Sequence, residues 1–122
     1  MCKLKKSLYG LKQSPRAWYQ RIDMFFTQEG FSRSQADHSL YVKQTGEYLL
    51  IVIIYVDDLI ILASNVSILK WLKSKLEDEF EMSDLEELRY CLGVEFERDR
   101  VNRTITMSQS KYIKEVLKRF NM

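Results

Sequence analysis

One proline, four glycines, two cysteines and a single histidine are spread through 122 residues. So little proline and glycine argues against a flexible linker, and neither a low-complexity tract nor an internal repeat is visible. Cys2 and Cys91 form neither a CxxC pair nor a metal-ligand spacing. That excludes a zinc ribbon and a disulfide framework, and leaves the free thiols expected of an intracellular protein. His38 stands beside Asp37 in a polar stretch, and a histidine-dependent triad would rest on it alone. The start, "MCKLKKSLYG", has no apolar centre like that of a signal peptide. The apolar run over residues 48–63 is cut by two carboxylates and falls short of the roughly 20 residues that cross a membrane. The expectation is a protein that is not membrane-bound. Charge of one sign is scarce too, with a formal net charge of +2. The local excess is Lys3, Lys5, Lys6, Lys12 and Arg16, which serves a phosphate-contacting patch and a plainly solvated end equally well.

What is present is the balance of a globular chain, 46% hydrophobic and 30% charged, with the length of one domain or part of one. In "SPRAWYQRIDMFFTQEGF" Ser14 can cap, Pro15 suits the first helical position and Gly30 suits an end, while Trp18, Ile22, Phe25 and Phe26 recur at helical spacing. "SLYVKQ" and "EYLLIVIIYV" predict strands joined by a turn at Thr45-Gly46. The second is apolar on both faces, as in a strand covered on both sides or nearly so. "LIILAS" predicts a third strand. "NVSILKWLKSKLEDEF" places Leu69, Leu72, Leu76 and Phe80 on one helical stripe, capped by Ser64 or Asn65. "YCLGVEFERD" and "TITMSQ", flanking "RVNR", predict a hairpin, and "SQSKYIKEVLKRF" a short amphipathic helix. The order gives an α+β layer architecture, with helices near 15–29 and 66–80 on one side of the sheet.

The chemistry gathers at "LIVIIYVDDLIILAS". Asp57 and Asp58 are expected to form the whole connection of a tight hairpin, although Asn-Gly, Asp-Gly or Gly-Gly are the usual turn residues. Adjacent carboxylates repel unless a cation neutralises them. A plain turn and a metal site are both open at this point. Mg²⁺ takes one or two carboxylates plus substrate phosphates, and a pair of such ions about 3.5–4 Å apart serves an in-line displacement.

Tyr55-Val56-Asp57-Asp58 between apolar strands resembles the catalytic hairpin of reverse transcriptases. "SLYGLKQSPRAWY", residues 7–19, is similar to a segment typical of copia-type LTR retrotransposon polymerases. "CLGVEFERD" resembles the primer-grip hairpin that follows the palm, and "MSQSKYIKEVLKRFNM" the beginning of the thumb. The four motifs run in the family's order over essentially the whole chain. The resemblance implies a partial polymerase palm (split βαβ, ferredoxin-like) over residues 1–89, lacking its first strand, with primer-grip hairpin and thumb start over 90–122. It makes Asp57 and Asp58 the catalytic, metal-binding carboxylates, Asp57 the more central. Gly10, Lys12, Gln13, Ser14, Pro15 and Arg16 match the segment facing template and incoming nucleotide, and Leu92, Gly93 and Val94 the grip on the primer. The implied cofactor is Mg²⁺ or Mn²⁺, bound only weakly by this chain alone. The implied partners, in the intact parent, are an RNA template, a DNA primer and deoxynucleotides; no oligomeric state follows.

The family needs a further aspartate, on a strand preceding the segment that begins here. Asp23, in a helix, and Asp37, in a loop, do not match it. Around "MSDLEEL" the family carries a lysine and a glycine where Ser83 and Glu86 stand, so a lysine acting as general acid would be lost. The expectation is a fragment of an RNA-directed DNA polymerase without independent activity. The rival readings are a non-catalytic nucleic-acid-binding α+β module, stacking bases on Tyr41, Tyr48 and Tyr55, and an element remnant without selected function.

Overall fold

In the computed structural model, which describes residues 14–122, the first element is the predicted amphipathic helix, α1 (Ser14–Gln28). Pro15 lies in its first turn, where a missing N–H costs nothing. The helix ends on Gly30 at φ +81°, with Phe31 N–H donating to the Phe26 carbonyl (2.9 Å) and Gly30 N–H to that of Thr27 (3.1 Å). This paired closure requires a left-handed residue, and glycine takes that conformation without strain.

Four strands follow in the order β1 (Ser32–Arg33), β2 (Leu40–Thr45), β3 (Tyr48–Tyr55) and β4 (Asp58–Ala63), all antiparallel and each beside the next. Thr45 pairs with Tyr48, so the β2–β3 turn is Gly46-Glu47 and not Thr45-Gly46. Helix α2 (Val66–Glu79) then packs on β3 and β4. Its cap is Asn65, whose side-chain oxygen accepts from Ser67 N–H at 2.7 Å. Ser64 is used elsewhere, its hydroxyl accepting from Leu49 N–H at 2.9 Å.

Register decides which face is buried. Tyr41, Val52 and Ile61 stand side by side across three strands and join Leu50 and Ile54 in one core with Ile22, Phe25, Phe26, Phe31, Leu72 and Leu76. Rings of Phe26 pack on Phe31 and Tyr41, and those of Trp18 and Phe25 on Phe80 at the end of α2. Each such buried side chain contributes roughly 1.5–3 kcal/mol. Arg21–Glu79 and Lys75–Glu29 ion pairs tie α1 to α2 across the surface, a weaker contribution. The opposite face of β3, with Leu49, Ile51 and Ile53, does not enter this core. Both-faced apolarity therefore overstated the coverage of this strand.

The chain divides into two compact units after Met82. In the second, Ser83–Met122, a three-stranded antiparallel sheet runs β5 (Tyr90–Cys91), β6 (Val94–Asp99) and β7 (Thr104–Ser108), followed by α3 (Ser110–Arg119). "YCLGVEFERD" is thus not one strand. It folds back at Leu92-Gly93, both at positive φ (+53° and +80°), so that Cys91 pairs with Val94. Positive φ at both central residues is the demand of a type I′ turn, and Gly93 meets it at no steric cost. At the β6–β7 loop the Asp99 carboxylate accepts from Val101 N–H (2.9 Å), Asn102 N–H (3.0 Å) and the Asn102 amide (2.6 Å). The whole is α+β, with two antiparallel sheets and three helices among the described residues.

Candidate metal-binding hairpin

The strands that carry the aspartates are long and apolar, and their ladder runs without interruption from Leu50–Ala63 to Tyr55–Asp58. That last pair settles the turn. The two connecting residues are Val56 and Asp57, and Asp58 is the first residue of β4, not half of the connection. Of the two turn residues only Val56 has positive φ, +54°. The same pattern occurs ten residues earlier, where Gly46 (φ +59°) occupies the equivalent position. Glycine there is ordinary for a type II′ hairpin, whereas a β-branched valine is strained.

An indole holds the strained residue. Trp18 Nε1–H of α1 donates to the Val56 carbonyl at 3.0 Å. Because Trp18 follows Ser14 by four residues, this bond sets the first helical turn, with exposed Pro15 and Arg16, beside the hairpin tip. Gly10, Lys12 and Gln13 lie outside the described residues. Leu92, Gly93 and Val94 form the turn and strand start of the second unit, with Leu92 exposed. Glu86, in the loop before β5, has φ +61° and donates its N–H to Asp84 Oδ1 at 2.8 Å.

Asp57 and Asp58 are both exposed, and neither side chain has a hydrogen-bond or ion-pair partner among the described residues. The apolar run therefore does not bury them; alternate residues of β3 are buried in the core, and the hairpin tip delivers the carboxylates to solvent. Two unpaired, hard-oxygen donors on adjacent residues suit part of a Mg²⁺ or Mn²⁺ ligand set. They do not complete one, since no group of three His, Cys, Asp or Glu side chains able to hold a metal occurs among the described residues. Residues 1–13 contain no Asp or Glu at all.

Asp23 and Asp37, also in the first unit, are committed. Asp23 Oδ1 accepts from the Tyr41 hydroxyl (2.6 Å) and pairs with Arg33 (3.3 Å). The Tyr19 hydroxyl donates to the His38 carbonyl (2.9 Å) and accepts from Arg33 (3.2 Å). Burial, and then the bond to Asp23, push the Tyr41 phenol well above its ordinary range. Asp37 accepts from the Ser39 hydroxyl and amide, which hold its carboxyl below the usual range. A stacking platform on the sheet is not available either. Tyr41 is fully buried, and the half-exposed Tyr48 and Tyr55 open and close β3 at odd separation, on opposite faces.

Local patterning missed the role of Trp18, whose spacing assigned it only to an apolar helix face. Its partner lies 38 residues away, and the single legible signal was an indole, which seeks an acceptor when half-buried.

The whole chain, residues 1–122, matches the family described as "Reverse transcriptase (RNA-dependent DNA polymerase)". It is 41% identical over its full length to the Retrovirus-related Pol polyprotein from transposon TNT 1-94 of Nicotiana tabacum, of which it spans 9%. It is also 41% identical over its full length to that from transposon RE1 of Arabidopsis thaliana, spanning 8% of that protein. With the putative transposon Ty5-1 protein of Saccharomyces cerevisiae identity is 33% over 87% of this chain and 34% of the other. No solved structure matches the chain significantly. The chain belongs to the reverse transcriptase family, in the copia-type branch of retrotransposon Pol polyproteins.

Proposed function

We propose that residues 1–89 are part of a polymerase palm and residues 90–122 its primer-grip hairpin and thumb start, in a Pol protein that copies RNA into DNA inside the cell. The observation that carries this reading is the pair of exposed carboxylates, without side-chain partners among the described residues, at the tip of a hairpin whose β3 strand enters the core. A divalent metal bound there supplies charge neutralisation for an attacking 3′-hydroxyl and a leaving pyrophosphate. The chain's own residues do the rest. Asp57 and Asp58 offer oxygens from one side of the site, and Arg16, exposed in the first turn of α1, meets phosphate. Lys12 and Gly10 belong to the same nucleotide-facing segment, and Leu92, Gly93 and Val94 hold the primer end. A third carboxylate comes from a strand not among the described ones. The edge of β4, which begins at Asp58 and is unpaired among the described strands, offers it a place to pair.

The test is primer extension on an RNA template. The 122-residue chain alone is expected to extend nothing. Joined to the segment that precedes the matching region in the tobacco relative, it is expected to synthesise DNA, and Asp57→Asn in that chimera to silence it. Each lost electrostatic contact at such a site costs on the order of 10²–10³ in rate. Lys12→Ala is expected only to weaken template binding, with a shallower salt dependence, so that the deficit narrows as salt rises. Robust extension by the chain alone would overturn the need for a third carboxylate. A folded, silent chimera would move attention to Ser83 and Glu86.

A further inference from the structure

We infer that Trp18 is a positioning residue for the Asp57–Asp58 pair, fixing through its indole N–H the peptide plane that joins Val56 to Asp57. The inference rests on the reading of that pair as metal ligands. Tyr55 and Asp58 are held by the β3–β4 ladder, so the Val56–Asp57 peptide is the only one in the hairpin without a ladder partner. A peptide is planar, so holding the Val56 oxygen also fixes the direction of the Asp57 N–H and the start of its side chain. The bond, 3.0 Å long, is of ordinary strength in its geometry. Its donor is stiffly mounted: the Trp18 ring packs edge-on against Phe80, with centroids 5.4 Å apart, and the next turns of α1 are buried through Ile22, Phe25 and Phe26.

Satisfying a carbonyl does not by itself require this arrangement. Val56 is 67% exposed, and water would serve its oxygen. What water cannot do is hold a β-branched residue at φ +54° in one orientation. The second tryptophan, Trp71, has no such bond; its ring lies under the Lys43 ammonium, 4.5 Å from the centroid.

The experiment uses the full 122-residue chain, isotopically labelled, and the variant Trp18→Phe, which keeps a ring against Phe80 but donates nothing. Folding is checked by far-ultraviolet circular dichroism. In the unaltered chain the Trp18 indole proton is expected to exchange with solvent more slowly than that of Trp71. In the variant the amide-to-Hα coupling of Val56 is expected to change as the residue leaves positive φ. Mn²⁺, titrated while the Asp57 and Asp58 amide signals broaden, is expected to bind roughly two- to tenfold more weakly, the loss of one neutral hydrogen bond. A folded Trp18→Phe chain with unchanged Val56 coupling and unchanged Mn²⁺ response overturns the inference. If the variant does not fold, the indole exchange decides, and a Trp18 proton as labile as that of Trp71 overturns it. Asp57→Asn separates the two readings. If that change leaves Mn²⁺ broadening intact, the metal assignment fails, while the Val56 coupling still reports whether Trp18 holds the turn.

Discussion

Ten apolar side chains are fully or nearly buried within residues 14–82, and none is buried in Ser83–Met122. Both units have continuous antiparallel ladders, so hydrogen bonding does not distinguish them. The difference is a covering layer. In the first unit α1 and α2 close one face of the sheet over Tyr41, Leu50, Val52 and Ile54. In the second, Ile105 and Met107 of β7, Ile113 and Leu117 of α3 and Phe120 just after it stay more than 40% exposed. A ladder gives a strand its register, but a sheet is stable only when one face is removed from water. The first unit is therefore the folded platform of the candidate site, and the second is the region of low local stability.

The comparison breaks most readily at a core position. Leu72→Ala is expected to cost about 2–5 kcal/mol in the first unit, as a shift of the denaturation midpoint with unchanged slope. Ile105→Ala in the second should stay within about 0.5 kcal/mol, because that side chain is already wet. Amide exchange in the unaltered chain should show the same contrast, with Leu50 to Ile54 far better protected than Phe96 to Arg98. Equal protection would mean that the second unit is stabilised by something other than its own burial.

The two units should also differ in their response to pH, the first alone losing stability on the alkaline side through Tyr41. The Tyr41 phenol is raised above its ordinary value near 10 by burial and by the carboxylate of Asp23. A raised folded value means that its stabilisation is complete below pH 10 and is lost as the unfolded chain ionises at higher pH. The slope is up to about 1.4 kcal/mol per pH unit. Fluorescence of Trp18 and Trp71, both in the first unit, should follow this loss, and Tyr41→Phe should flatten it. Asp99 in the second unit is lowered by the Asn102 amide and side chain and by Val101 N–H. Its contribution is present above the ordinary carboxylate range and fades as pH falls below about 4, readable in the Val101 and Asn102 amide shifts. Asp37 gives the first unit a similar acid-side response through Ser39.

Much of the first unit was legible because its information is local. Pro15 and Gly30 bracket α1, although Ser14 is its first residue and not its cap, and the 3.6-residue spacing of Ile22, Phe25 and Phe26 marks the face that is in fact buried. The aspartates were found as a pair because nothing else interrupts the apolar run. Other features escaped, each for a physical reason. Asp58 enters the ladder because Val56 accepts a left-handed conformation that its side chain disfavours, and the bond from Trp18 that goes with it spans 38 residues. The single face that β3 contributes to the core cannot be deduced from a strand apolar on both. Leu92 takes positive φ in the second unit, so a run with the composition of one strand became two.

Those two strained turns provide the smallest effect and the sharpest version of the comparison. Val56 and Leu92 have nearly the same φ, +54° and +53°, at the first position of a two-residue turn. Replacing Val56 by glycine removes the steric cost but adds unfolded-chain freedom, and each is worth roughly 1 kcal/mol. Val56→Gly should therefore leave the midpoint of the first unit within about 0.5 kcal/mol of its starting value. Leu92→Asn creates the preferred first residue of a type I′ turn before Gly93 without glycine's entropic cost, and should gain about 0.5–1 kcal/mol. In a unit without a core, that gain is a large part of the local stability. It should appear as up to about fivefold slower exchange of the Val94 and Glu95 amides, with no change in β3 or β4. A Leu92→Asn chain whose β5–β6 amides exchange at the original rate would show that turn strain is not what limits the second unit. A Val56→Gly gain well above 1 kcal/mol would show that the valine costs more than glycine's freedom offsets.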